Sequence, residues 1–96
     1  MAMWLEILSL RAAGKTARDA ALALLREVEA PPDAAGPASC RLYQNAKLEY
    51  DLSLHLYWGA EGGAVAKSPL GLRMAEALAA YGLVHHTVWI TEGSQG

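Results

Sequence analysis

Five side chains able to do chemistry alternate with apolar ones along residues 48–58: Glu49, Asp51, Ser53, His55 and Tyr57 are interleaved with Leu48, Tyr50, Leu52, Leu54, Leu56 and Trp58. Successive strand side chains point to opposite faces of a sheet, so this spacing predicts a half-buried β-strand whose wet face carries two carboxylates, a hydroxyl, an imidazole and a phenol. An imidazole beside a carboxylate can act as a general base, and a phenol can donate a hydrogen bond or stack on a ring. Two further histidines, His85 and His86, fall on a second extended segment and point to opposite faces, so they are not a chelating pair. The register between the strands, which the spacing leaves open, decides which of the two joins His55. If Glu6 lay on the strand between His55 and His85, the three could form a two-histidine, one-carboxylate metal site. The alternative is that each histidine hydrogen-bonds to a nearby carboxylate or water.

The elements that must position these groups follow in order. Residues 3–10 read as a strand apolar on both sides, with Met3, Leu5 and Ile7 on one and Trp4, Leu8 and Leu10 on the other. Such a strand belongs in the middle of a sheet covered twice. Glu6 is its one charge and needs a partner or water, because burying an unpaired carboxylate is costly. Gly14, Lys15 and Thr16 have the end of a phosphate-loop pattern, but Ser9 stands where its first glycine belongs, so Thr16 reads instead as a helix cap with Asp19 three residues on. Ala17, Ala21, Leu24, Leu25 and Val28 form the inward stripe of a helix that ends before Pro31.

Prolines and a glycine over residues 31–38 predict a loop, residues 41–44 a short strand, and 45–47 the turn of an antiparallel hairpin into the alternating strand. Gly59, Gly62 and Gly63 predict a mobile connection over 59–67. Ser68 and Pro69 open a second helix with Leu70, Met74, Ala77, Leu78 and Tyr81 facing inward, and Gly82 reads as its left-handed stop. Residues 83–91 are a last strand with Leu83, His85, Thr87 and Trp89 on one side, and 92–96 a frayed tail.

Strand, helix, strand, strand, helix, strand is the ferredoxin-like order: an α+β domain spanning residues 1–96, with one antiparallel sheet and both helices on one face. By parity the helices cover the leucine face. The uncovered face then carries Trp4, Glu6 and Leu8 from the first strand, Asp51, Ser53, His55 and Tyr57 from the third, and His85, Thr87 and Trp89 from the last. That face is too apolar for water and too polar for ordinary core.

Composition sets limits on function. The chain is 96 residues long, 53% hydrophobic and 19% charged, with a mean hydropathy of +0.12, which is apolar for so short a protein and predicts a surface facing a partner. A net charge of −2 and a pI near 5.8 give no electrostatic support for nucleic-acid or membrane-surface binding. The longest apolar run, residues 20–25, is far short of a membrane span, and a cytoplasmic protein is expected. Cys40 is the lone cysteine, read as a small buried apolar residue, so no internal disulfide forms.

The alternating strand ending in an aromatic, the loop and helix after it, and the closing Tyr81-Gly82-Leu83-Val84 running into Val88-Trp89-Ile90 resemble the antibiotic biosynthesis monooxygenase-like domains of the dimeric α+β barrel superfamily, over nearly the whole chain. The resemblance implies a homodimer in which two sheets face each other and enclose a ligand, with cofactor-free oxygenation of a small aromatic or quinol among the activities. The haem-degrading branch places an iron-binding histidine on the second helix, and residues 68–81 contain none, so no haem or other cofactor is expected. His55 and His85 are then the catalytic candidates, and Trp4, Glu6, Asp51, Ser53, Tyr57 and Trp89 line the pocket. The competing expectation is a non-catalytic domain whose aromatic face binds a small ligand or fills an assembly interface.

Overall fold

Alternating burial sets the phase of every strand, and with it the face on which each polar group sits. In the computed structural model, which describes residues 3–28, 36–59 and 64–92, the elements are β1 (Trp4–Ala12), α1 (Lys15–Val28), β2 (Ser39–Gln44), β3 (Asp51–Trp58), α2 (Pro69–Leu78) and β4 (Gly82–Ile90). The strands form one antiparallel sheet in the order β2-β3-β1-β4, so the result is a small α+β fold compatible with the ferredoxin-like arrangement. Leu52, Leu54, Leu56 and Trp58 of β3 are buried together with Leu8 and Leu10 of β1, Ala21 and Leu25 of α1, and Met74 and Leu78 of α2. Both helices therefore cover the same face, and Cys40 packs half-buried against that core. Among the described residues no helix is long and apolar enough to cross a membrane.

The phase of β1 differs from expectation. Leu8 stands opposite Leu54 and Glu6 opposite Leu56, and cross-strand neighbours share a face. Trp4, Glu6 and Leu8 are consequently buried beneath the helices, while Leu5, Ile7 and Ser9 share the uncovered face with His55. The phases of β3 and β4 are as expected, and Asp51, Ser53, His55, Tyr57, His85, Thr87 and Trp89 all lie on the open side.

Element boundaries move for local reasons. The alternating strand begins at Asp51, not at residue 48, because the Asn45 side chain accepts hydrogen bonds from the amides of Lys47 (2.8 Å) and Leu48 (3.0 Å) and extends the turn. Leu48 and Tyr50 are exposed there. Helix α1 starts at Lys15, with the Gly14 carbonyl accepting from the Arg18 amide at 2.9 Å, so Thr16 lies inside the first turn and is not the cap. Asp19 is engaged by Lys15 and Arg18, both at 2.8 Å. At α2 the expected start holds: the Ser68 hydroxyl accepts from the Gly71 amide at 2.9 Å and Pro69 follows. The proline loop over 31–35, the middle of the glycine connection at 60–63 and the tail from 93 lie outside the described residues.

Gly82 is the first residue of β4 and not a left-handed stop. A Cβ there would run into the Arg11 carbonyl oxygen and lie 2.9 Å from Ala12 Cα. Since the obstacle is backbone, Gly82→Ala must push β4 off the end of β1. We expect a loss of about 1–3 kcal/mol in urea unfolding, with faster exchange of the Ala13 amide, which donates to the Tyr81 carbonyl at 2.9 Å. Unchanged stability and exchange would show that the strand end has room to give.

Candidate functional site

His55 sits at the centre of the open face because β3 is an inner strand: Ile7 of β1 is its partner on one side and Arg41 of β2 on the other. Its Nε2 lies 3.0 Å from the Ser53 hydroxyl. The Tyr43 ring packs against the imidazole at 4.5 Å between centroids and an angle of 52°, and Tyr57 follows at 6.2 Å. Burial pushes the His55 pKa below its ordinary 6.5, so the ring is neutral at neutral pH and free to accept a proton. A hydrogen bond with Tyr43, and to a lesser degree burial, raises the Tyr57 pKa above the ordinary 10.0, which keeps that phenol a donor.

His85 shares the open face, beside Ser9 of β1, and is exposed. On the same strand the Trp89 indole donates to the Thr87 hydroxyl at 2.9 Å while its ring is 57% exposed, and Leu83 is 75% exposed. At the Arg11 end of the face a concavity of about 650 Å³ is lined by Ser9, Arg11, Tyr43, Asp51, Ser53 and His85, among others. His55 and Tyr57 stand beside it on the same face without lining it.

Asp51 does not orient either histidine. Its two carboxylate oxygens accept from Arg11 Nε at 3.2 Å and from the Arg11 guanidinium at 3.3 Å, directly across the strand pair. His55 is thus held by a hydroxyl and two phenol rings and, among the described residues, by no carboxylate. The metal arrangement of His55, His85 and Glu6 is overturned, because Glu6 lies on the opposite side of the sheet from both histidines. Among the described residues no three His, Cys, Asp or Glu side chains come together to hold a metal ion.

Beneath the helices, Glu6 is the centre of a polar cluster with Trp4 packed beside it, and neither belongs to the open pocket. Glu6 is fully buried, and four donors converge on it. Oε1 accepts from Trp58 Nε1 at 3.1 Å and from the Ser68 hydroxyl at 2.7 Å, and Oε2 accepts from the Ser68 amide at 3.0 Å and pairs with His86 Nε2 at 2.5 Å. The carboxylate lies at the first turn of α2, where a helix favours negative charge. Trp4 stacks on Trp58 with centroids 5.2 Å apart. The Ser68 hydroxyl donates to Glu6 and not to His86, and the cluster ties β1, β3, α2 and β4 together. The roles of Ser68 and His86 in this cluster did not emerge from the sequence, although one signal pointed to it: a lone charge within an apolar strand demands a partner.

The open face combines a neutral half-buried base, hydroxyl donors and exposed aromatic area, which together can hold a small planar ring and take a proton from it. Comparison of the chain with protein families, curated proteins and solved structures gives no match.

Proposed function

We propose that this chain works as a homodimer of the α+β barrel type, its open sheet face closed by a second copy, and that the chamber between them takes a small aromatic hydroxyl compound or quinol. His55 accepts the hydroxyl proton, Tyr43 and Tyr57 flank the ring, and the resulting electron-rich anion is the species on which cofactor-free, oxygenase-like chemistry would act. The observation that supports this reading is the neutral imidazole of His55, lowered in pKa by burial and set among Ser53, Tyr43 and Tyr57 at the centre of the face. A cytoplasmic setting accords with the single cysteine. A second reading is an assembly domain without catalysis, favoured by Leu83 and Trp89, whose exposure at 75% and 57% asks for cover whether or not a ligand is present.

The test uses 2-naphthol, whose absorbance reports its ionisation. At micromolar concentration wild-type protein should have the mass of a dimer by light scattering and shift bound naphthol towards its anion. His55→Ala should keep the mass and lose the shift, together with about a hundredfold or more of any oxygen-dependent turnover. Because the His55 pKa is lowered from 6.5, proton uptake should persist through neutral pH and fade only on the acid side of that value, as the ring protonates. A dimer that neither binds nor ionises naphthol favours the assembly reading, and a monomer removes both.

A further inference from the structure

The outer edge of β4 is built to pair with itself. Strands β2 and β4 are the two edges of the sheet. The Thr91 amide donates to the Met3 carbonyl at 3.2 Å and the Ala13 amide to the Tyr81 carbonyl at 2.9 Å. Hydrogen-bonded pairs alternate in an antiparallel ladder. The odd-numbered residues of β4 therefore aim their backbone groups at β1. Gly82, Val84, His86, Val88 and Ile90 aim theirs outward, where no described strand receives them.

Proteins guard such edges with lysine, proline, bulges or shortness. β4 has none of these: nine residues, GLVHHTVWI, pair with β1 in unbroken register and include no Lys, Arg, Asp, Glu or Pro. The opposite edge, β2, has six residues and carries Arg41.

We propose that β4 pairs antiparallel with β4 of a second copy about a two-fold axis at His86, so that two four-stranded sheets continue as one. His86 is the midpoint of Gly82–Ile90, and it is also one of the residues whose backbone points outward, as a two-fold through a hydrogen-bonded pair requires. This register sets Leu83 against Trp89 of the partner subunit, the two most exposed apolar side chains that β4 places on the open face, and Val84 against the partner's Val88. A slip of two residues would set Leu83 against Thr91 or Thr87 of the partner subunit and break both Leu83–Trp89 pairs. The two His86 rings lie side by side under the helices, each engaged with the Glu6 of its own chain. The pairing goes beyond the face-to-face closure proposed above, since it uses the edge of the sheet and not its face.

Amide hydrogen exchange on the wild-type protein, with light scattering in parallel, tests it. At millimolar concentration the Val84, His86 and Val88 amides should exchange about tenfold or more slowly than at micromolar concentration, while the odd-numbered β4 amides, already bonded to β1, serve as controls. Ile7→Asp, at the centre of the open face, should break face-to-face closure and still leave a dimer with those three amides protected. Fast exchange of the three amides in a protein that is oligomeric by mass overturns edge pairing and leaves face closure standing. Protected amides with equal mass in wild type and Ile7→Asp overturn face closure and support the edge. A wild type that is monomeric at millimolar concentration overturns both.

Discussion

Glu6→Gln is expected to destabilise the fold by about 3 kcal/mol or more, although it changes one oxygen to nitrogen and almost no volume. Glu6 is fully buried, with Trp58 Nε1, the Ser68 hydroxyl, the Ser68 amide and His86 Nε2 all directed at its two oxygens. Glutamine offers a single acceptor oxygen. Whichever way its amide turns, two donors of the protein meet an NH2 group, and a buried donor left without an acceptor costs about 1–3 kcal/mol. The imidazole of His86, whose side chain is only 6% exposed, also loses its negative partner. For a chain of this length each kcal/mol moves the thermal midpoint by about 4–8 °C, so a fall of more than about 10 °C should accompany the shift in urea midpoint. A variant within about 1 kcal/mol of wild type would mean that the four donors find other acceptors, and that the carboxylate is not what fastens α2 to the sheet.

The contrast between Glu6 and His55 explains how much of the molecule could be read from its residues. β3 alternates cleanly, and one face of leucines forces the other to hold Asp51, Ser53, His55 and Tyr57, so that half of the site was legible along with the order of elements. The alternation of β4 was legible too, but which of its sides joins that face was not, and only pairing across β1 brings Leu83, His85, Thr87 and Trp89 into step with it. β1 itself is apolar on both sides, and nothing within residues 3–10 distinguishes them; only pairing with Leu54 and Leu56 sets its phase. Parity alone therefore puts Trp4, Glu6 and Leu8 on the wrong face. That Glu6 needs partners follows from its chemistry, but Ser68 lies 62 residues away and His86 80, and no local pattern identifies partners at that distance. Ser68 reads as a helix cap, and its hydroxyl does both jobs at once, accepting from Gly71 and donating to Glu6. Gly82 shows the converse: the glycine stands at the expected place, between α2 and β4, for a different reason, the approach of the Arg11 carbonyl.

Gly71→Ala should be harmful by itself and close to harmless once Glu6 is shortened. In an ordinary helix the change gains up to about 1 kcal/mol, because glycine is the poorer helix former. Here the added Cβ would lie 2.6 Å from Glu6 Cδ and 2.9 Å from His86 Nε2, and closer still to Glu6 Oε2. The methyl must displace a carboxylate held by four donors or lift the first turn of α2, which also strains the Ser68 cap. Overpacking of this kind costs about 1–3 kcal/mol, and broken hydrogen bonds add to it, so a loss of about 3 kcal/mol is expected. In a Glu6→Ala background the obstructing carboxylate is gone and the methyl enters the space it leaves. The second substitution should then cost little or even restore stability, giving a coupling of about 2 kcal/mol between the two sites. Urea unfolding of wild type, both single variants and the double variant measures that coupling directly. Simple additivity would show that Gly71 is small for a reason other than the buried carboxylate, whereas strong coupling would mean that the sheet's one buried carboxylate and the missing side chain on the helix form a single packing unit.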